Sequence, residues 1–219
     1  MYLARGGVKY LFLHRPGKYD TAGKVGVFLW EGPDGSRVLV RNAIETGYGA
    51  AITPELVPHL LKFVRLTGGK DVMLVYGIGD HGGGPTRRDI IRALDMNTWP
   101  VFPTVPFSTV EAFFERLETQ ASRLPVLTGE LNTEFIGCYT TQTLIKKANR
   151  FSECRLVDAE LASSLAWVSL GHRYLAGAFV ESWRDTLFSQ FHDILPGSGV
   201  HDTRTYTHGL FQKTMATTG

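Results

Sequence analysis

The chain has 219 residues, of which 43% are hydrophobic and 20% are charged, a composition typical of a globular protein with one large domain or two small ones. Its 23 basic and 21 acidic residues nearly cancel, which argues against a nucleic-acid partner and against binding to an anionic membrane. A small neutral or polar ligand is the better expectation.

The cysteine content and the N-terminal sequence indicate the compartment. The two cysteines, Cys138 and Cys154, lack the paired spacing of a zinc ribbon or of a disulfide-stapled domain. The chain has no signal-peptide apolar region and no run of roughly 18 to 20 apolar residues. We therefore predict a cytoplasmic protein. Because a strand-like segment begins as early as residue 8, we also predict that the chain is a fragment of a longer protein.

Strand-like and helix-like segments alternate in the first half of the chain. Apolar runs predict strands at residues 8–13, 25–30, 38–42, 72–76, 101–106 and 126–127. Apolar residues at helical spacing predict helices at residues 54–66, 86–94 and 109–123. Strands that alternate with helices indicate an α/β fold, with a mostly parallel sheet and helices packed outside it.

The second half is predicted to be helical. Residues 140–170, 173–189 and 203–215 carry apolar residues at helical spacing and little strand signal. Gly171 is the predicted end of the first of these helices. We expect residues 1–131 and 132–219 to form separate domains. The predicted core face of the first helix consists of Leu156, Leu161, Leu165, Val168 and Leu170.

A glycine-rich loop, GIGDHGGGPT at residues 77–86, follows an apolar segment and precedes a helix. This is where α/β proteins place ligands. The glycine spacing matches neither a Walker loop nor a dinucleotide loop, which disfavours a nucleotide site. The loop is either a turn that needs glycine for its backbone geometry, or a site where Asp80 or His81 acts as a general acid.

Two further segments are polar enough to contribute to a site. His192 and Asp193, in the segment QFHDILPG, lie near a predicted helix end. There His192 is either a structural residue stabilised by the helix dipole or a ligand of Zn²⁺ beside a carboxylate that contacts substrate. The junction GELNTEFIGCYTTQ, residues 129–142, either shapes a turn or helps to recognise hydroxyl groups.

Taken together, these motifs resemble glycoside hydrolase family 38, the α-mannosidases. The resemblance is carried by GDHGGGPT, by GELNTEFIGCYTTQ with its continuation IKKANRFSE, and by FSQFHDILPGSG, in that order. The opening GVKYLFLHRPG and FLWEGPDGSRVLV are also similar to the family. The resemblance implies part of a (β/α) barrel-like catalytic domain followed by a three-helix bundle. It also implies removal of terminal α-linked mannose, with retention, from oligosaccharides or mannosides.

The resemblance also implies roles for individual residues. His192 matches a zinc ligand, and Asp193 matches a carboxylate that contacts the sugar. Asp80 falls close to the proposed acid of the family, and His81 is the alternative for that place. Two further substrate-binding residues are expected on the same grounds, namely Arg15 and Tyr48.

The departures from the family pattern are equally informative. The remaining zinc ligands of the family come from an early His-x-Asp motif and from the nucleophilic aspartate, and neither occurs in these 219 residues. Catalytic zinc ordinarily takes three protein ligands, and a retaining mechanism needs two carboxyl groups. We therefore expect the chain to be inactive alone. The alternatives are a non-catalytic carbohydrate-binding or scaffold remnant and, on the glycine loop alone, a nucleotide-binding protein.

Overall fold

A computed structural model describes residues 1–15, 25–43 and 47–219, except for the side chain of Leu66. Pro16 and Gly17 of the first motif, and Thr46 beside Tyr48, lie outside the described residues. The chain divides into two compact units, Met1–Glu134 and Phe135–Gly219. The first is mixed α/β and the second is helical. Within the described ranges, no helix is long and apolar enough to cross a membrane.

The first unit is built around a four-stranded sheet. After a short helix, α1 (Tyr2–Arg5), come β1 (Tyr10–Leu13), β2 (Val27–Glu31), β3 (Arg37–Asn42) and, much later, β4 (Val126–Thr128). The strand order is β1-β3-β2-β4. The β1–β3 and β2–β4 pairs are parallel, whereas β2 and β3 are antiparallel. The sheet is therefore mixed, and the expectation of a mostly parallel sheet holds for two of its three pairings.

Between β3 and β4 the described part of the first unit has three α-helices, α2 (Leu56–Thr67), α3 (Arg87–Met96) and α4 (Val110–Glu118), and a short 3-10 helix (Ala121–Arg123). Thr86 and Thr109 cap α3 and α4, since their hydroxyls accept hydrogen bonds from Asp89 N and Ala112 N. Sheet residues such as Val27 and Leu39 pack with Phe63, Phe113 and Phe114 from α2 and α4 in one apolar cluster. The three helices confirm those predicted from apolar spacing.

Two of the predicted strands are wrong. Residues 72–76 and 101–106 belong to no strand of the described structure, although Tyr76 makes a single parallel bridge with Ala50. Val101 has a φ of 59° and a fully exposed side chain, which is incompatible with the start of a buried strand. An apolar run becomes a strand only when a neighbouring strand pairs with its backbone, and the run does not encode that neighbour.

The second unit consists mainly of three long helices that contact one another pairwise: α5 (Thr143–Leu170), α6 (Ala176–Ser189) and α7 (His201–Thr218). Gly171, with a φ of 69°, ends α5 as predicted. Small hydroxyl-bearing residues occupy much of the space between the helices and permit close approach. They include Ser152, Ser182, Thr186, Thr207 and Thr214, each buried.

The predicted core face of α5 is wrong beyond its first residue. Leu156 is fully buried, but Leu161 is 60% and Val168 79% exposed, and Leu165 and Leu170 are exposed as well. The buried positions of α5 are instead Ile145, Ala148, Ser152 and Leu156, which follow helical spacing. Five residues turn an α-helix by about 140° beyond one full turn, so Leu161 points away from the side that buries Leu156.

Candidate functional site

Three of the residues singled out in the sequence converge in the first unit. Arg15 follows the end of β1, Tyr48 lies in the segment after β3, and Asp80 lies in the glycine-rich loop. Backbone hydrogen bonds hold the last two segments together: Ala50 N donates to Val75 O over 3.2 Å, and Gly77 N donates to Ala50 O over 3.1 Å. This bridge positions Tyr48 beside Asp80.

Glycine is required where these two segments cross. A Cβ atom at Gly49 would lie 3.1 Å from the Cα of Gly79, and Gly79 itself has a φ of 65°. A larger residue at either position would push the segments apart or strain the backbone. The turn geometry and the placement of Asp80 are therefore compatible explanations for the glycine content of the loop.

The Tyr48 hydroxyl donates a short hydrogen bond to Asp80 Oδ1. This bond raises the pKa of Tyr48, with smaller contributions from burial and from the negative charge of Asp80, because a phenolate could not donate to the carboxylate. Tyr48 therefore stays protonated and holds one oxygen of an exposed carboxylate in place.

Two residues that sequence reasoning had not selected complete this cluster. His14 Nε2 lies 2.7 Å from Arg15 Nη1, and the His14 ring meets the Tyr48 ring edge-on, with centroids 4.4 Å apart. Glu134 Oε2 forms an ion pair with Arg15 Nε at 3.6 Å. The cluster is therefore His14, Arg15, Tyr48, Asp80 and Glu134, which we call the 14–134 cluster.

His14 is held in its neutral form. Burial lowers its pKa most, the adjacent Arg15 guanidinium lowers it further, and Asp80 and Glu134 partly oppose both effects. Signals for both additional residues were present in the sequence: His14 adjoins Arg15, and Glu134 belongs to the junction motif. Chain proximity alone does not tell which polar neighbours turn towards a site.

His81, the alternative to Asp80, turns back onto its own loop. It is exposed, and its Nδ1 lies 3.3 Å from the carbonyl oxygen of Ile78. Of the two titratable residues in the loop, Asp80 is the one bonded to Tyr48.

A buried carboxylate fixes the other end of the loop. Asp89, which is 2% exposed, accepts hydrogen bonds from Thr86 Oγ1 at 2.5 Å and from Ile52 N at 3.3 Å. The bond from Thr86 is the main reason that its pKa is lowered. Asp89 thereby ties the end of the glycine-rich loop to the segment that follows Tyr48.

His192 and Asp193 lie in the second unit, in a turn that follows α6. Both are exposed, and the His192 ring lies 4.2 Å from the ring of Phe191. Lys146 Nζ donates to Pro196 O over 3.0 Å, and a Cβ atom at Gly197 would lie 2.8 Å from Thr141 O. These contacts anchor the turn against the start of α5.

The described residues do not by themselves form a zinc site. Across residues 1–15, 25–43 and 47–219, no three His, Cys, Asp or Glu side chains come together to hold a metal ion. His192 and Asp193 supply two adjacent donors in an exposed turn, fewer than the three ligands that catalytic zinc ordinarily takes.

The junction of residues 129–142 mainly shapes turns. Trp30 Nε1 donates to Gly129 O over 2.9 Å, and Asn132 N donates to Glu130 Oε1 over 2.7 Å. Phe135 and Gln142 have φ values of 56° and 54°. Its contribution to the 14–134 cluster is Glu134.

Both halves of the chain match sequence models of one enzyme family. Residues 1–135 match the N-terminal domain of the glycosyl hydrolases family 38, and residues 134–218 match the alpha mannosidase middle domain. The two matches together extend over nearly the whole chain.

Individual relatives are also similar. α-Mannosidase 2C1 of Homo sapiens is 38% identical over 174 residues, and α-mannosidase G of Dictyostelium discoideum is 35% identical over 175 residues. An α-mannosidase of Saccharomyces cerevisiae is 33% identical over 193 residues. The alignments include 78%, 79% and 82% of this chain but only 17%, 16% and 18% of the relatives. The chain thus spans less than a fifth of their length.

A solved structure has a similar fold. The crystal structure of an α-mannosidase from Enterococcus faecalis V583 aligns with 97% of this chain and with 25% of its own chain, at a TM-score of 0.60 and 19% identity. At that identity the likeness concerns the fold.

Proposed function

This chain belongs to glycoside hydrolase family 38, and from that premise we propose that it forms part of an α-mannosidase that removes terminal α-linked mannose from oligosaccharides or mannosides. The observation that carries the proposal is the Tyr48–Asp80 hydrogen bond within the 14–134 cluster. It holds the exposed carboxyl group of Asp80 against Tyr48, whose ring contacts the ring of His14 beside Arg15.

In this proposal Asp80 is the general acid that protonates the leaving oxygen of the glycosidic bond. The hydrogen bond from Tyr48 stabilises the carboxylate that remains after the proton is transferred. Arg15, an exposed guanidinium oriented by His14 and Glu134, donates hydrogen bonds to sugar hydroxyls. The two groups therefore have distinct roles, proton transfer and substrate orientation.

Retention of configuration is a finer part of the proposal. A retaining glycosidase uses two carboxyl groups about 5 Å apart, one as acid/base and one as nucleophile. Asp80 is the first, and the second belongs to sequence outside these 219 residues, as do the zinc ligands other than His192. Asp193 contacts the sugar. On this basis the 219-residue chain is inactive alone, and a cytoplasmic location belongs to the same proposal.

The role of Asp80 is tested in the enzyme translated from the full reading frame. We expect Asp80→Asn to lower kcat/KM about 10²- to 10⁴-fold for mannosides with poor leaving groups and much less for activated aryl mannosides. The matched variant, His81→Asn, alters the neighbouring titratable residue and should leave kcat/KM within a few fold. An equal loss on both substrate classes, or a larger loss in His81→Asn, would contradict the assignment.

The role of His192 is tested by metal content together with turnover. His192→Ala should reduce bound zinc and abolish activity, because one ligand is lost from the metal. His172→Ala, which removes an exposed histidine beyond the end of α5, is the control and should retain both. Retained zinc and normal turnover in His192→Ala would show that the residue is structural.

A further inference from the structure

His14 makes two contacts inside the 14–134 cluster, and both involve proposed substrate-binding residues. Its Nε2 lies 2.7 Å from Arg15 Nη1, and its ring meets the ring of Tyr48 edge-on at a centroid distance of 4.4 Å and an interplanar angle of 65°. One half-buried side chain therefore touches both the Arg15 guanidinium and the Tyr48 ring.

The contact with Arg15 determines the protonation state of the imidazole. A guanidinium has only donors, so the nitrogen at 2.7 Å must accept, and His14 Nε2 must carry a lone pair. The ring proton is then on Nδ1. An imidazolium in the same place would offer Nε2–H to another donor and would bring two positive charges together.

We propose that His14 is a positioning residue of the site. Its neutral imidazole orients Arg15 through Nε2, and its ring packs edge-on against the ring of Tyr48. The proposal deepens the mannosidase function put forward above and rests on it for the role of Arg15. It adds a residue that touches the substrate-binding groups without itself acting on the sugar.

The charges that face His14 are consistent with this role. Arg15 favours the neutral ring, whereas Asp80 and Glu134 favour the charged one, and Tyr48 stays protonated beside it. Burial also favours the neutral ring, and it has the largest effect, so the pKa of His14 is lowered. Acidification through this pKa should release Arg15 from His14 and weaken substrate orientation.

Two variants separate the two contacts. His14→Gln keeps an acceptor oxygen near the position of Nε2 but removes the ring. His14→Phe keeps a ring against Tyr48 but removes the acceptor. If the contact with Arg15 positions the site, glutamine should preserve function better than phenylalanine.

The first test needs no activity and uses the 219-residue chain. Ring ¹⁵N chemical shifts of labelled histidine, with the His14 signal identified by its loss in His14→Gln, report which nitrogen carries the proton. At neutral pH we expect an unprotonated Nε2 and a protonated Nδ1. A protonated Nε2 with an unprotonated Nδ1 would overturn the proposal, whatever the catalytic activity of the enzyme.

The second test uses the enzyme translated from the full reading frame. A hydrogen bond to a charged group corresponds to a loss of about ten- to a hundredfold in kcat/KM for His14→Phe, with His14→Gln recovering most of it. The acid limb of the kcat/KM profile should lose its His14 transition in both variants. Equal kcat/KM in the two variants, or an unchanged acid limb, would overturn the positioning role.

Absence of mannoside cleavage by the wild-type enzyme would instead refute the proposed function. The first test would still determine the tautomer of His14.

Discussion

Tyr10 illustrates how one side chain couples the sheet of the first unit to pH. Its hydroxyl donates to Glu118 Oε2 over 2.7 Å, and its ring stacks on Phe114 with centroids 4.9 Å apart. The bond from Tyr10 to the Glu118 carboxylate is the main reason that the pKa of Tyr10 is raised to about 12. The bond joins β1 to the end of α4.

Because the folded pKa lies above the unfolded value near 10, the neutral phenol is favoured by folding, and its contribution is lost as the pH rises from about 10 towards 12. We expect Tyr10→Phe to unfold at lower urea concentration than wild type at pH 7 to 9, with a difference that shrinks above pH 10. Tyr2→Phe, at a tyrosine 83% exposed, should follow wild type throughout. A difference for Tyr10→Phe that stays constant up to pH 11 would show that the hydrogen bond is not its cause.

At the same scale, sequence reasoning identified three members of the 14–134 cluster and missed two. Arg15, Tyr48 and Asp80 were identified through motifs, whereas His14 and Glu134 join them because of side-chain direction at the end of β1 and at the junction. The direction in which these two side chains point depends on the residues that pack around them in the folded chain. Whether these residues and His192 act as proposed stays a prediction until the variants are measured.

The helix α5 provides a direct comparison between predicted and observed burial. Leu156 is fully buried and Leu161 is 60% exposed, although both were predicted to face the core. We expect Leu156→Ala to lower the free energy of unfolding of the helical unit by about 2 to 5 kcal/mol. Leu161→Ala, the same change five residues later, should change it by no more than about 0.5 kcal/mol. Urea unfolding followed by circular dichroism measures both, and comparable losses would mean that Leu161 is covered in solution.

The hydroxyl-rich interior of the helical unit leads to a second prediction at this scale. Among the described residues, the buried Oγ1 atoms of Thr186 and Thr214 have no hydrogen-bond partner, and both residues line a cavity of about 10 Å³ between the three helices. By contrast, Thr207 Oγ1 donates to Thr203 O over 2.8 Å. The two buried threonines of α7 therefore differ in how their hydroxyls are satisfied.

Replacing Thr214 by Val removes a buried polar group at little change in volume, and we expect the free energy of unfolding to rise by about 1 kcal/mol. The same substitution at Thr207 removes a formed hydrogen bond and should lower it by about 0.5 to 1 kcal/mol. Thermal or urea unfolding of the two variants measures both changes in the free energy of unfolding. A less stable Thr214→Val would mean that an ordered water satisfies the hydroxyl, since the cavity has roughly the volume that one water needs.

For the whole molecule, the proposed mechanism requires more than these 219 residues. The purified chain should release no mannose above the buffer rate from aryl mannosides or oligosaccharides, and it should bind zinc only weakly, because the proposed mechanism assigns the nucleophile and every zinc ligand except His192 to sequence outside these 219 residues. The protein extended through its reading frame is the positive control. Mannose release by the short chain would show that these 219 residues contain a complete catalytic set, while mannoside binding without turnover would favour a carbohydrate-binding remnant.

The amino-acid sequence alone determined the family, which the comparisons confirm, together with the α/β-then-helical order and the helices, since caps and 3.6-residue periodicity are local properties. Only the tertiary structure decided the antiparallel β2–β3 pairing, the absence of strands at residues 72–76 and 101–106, the buried side of α5, and the entry of His14 and Glu134 into the cluster. Each of these depends on which segment lies alongside, whether near in the chain, as for β2 and β3, or far away, and hydrophobic periodicity does not specify that neighbour.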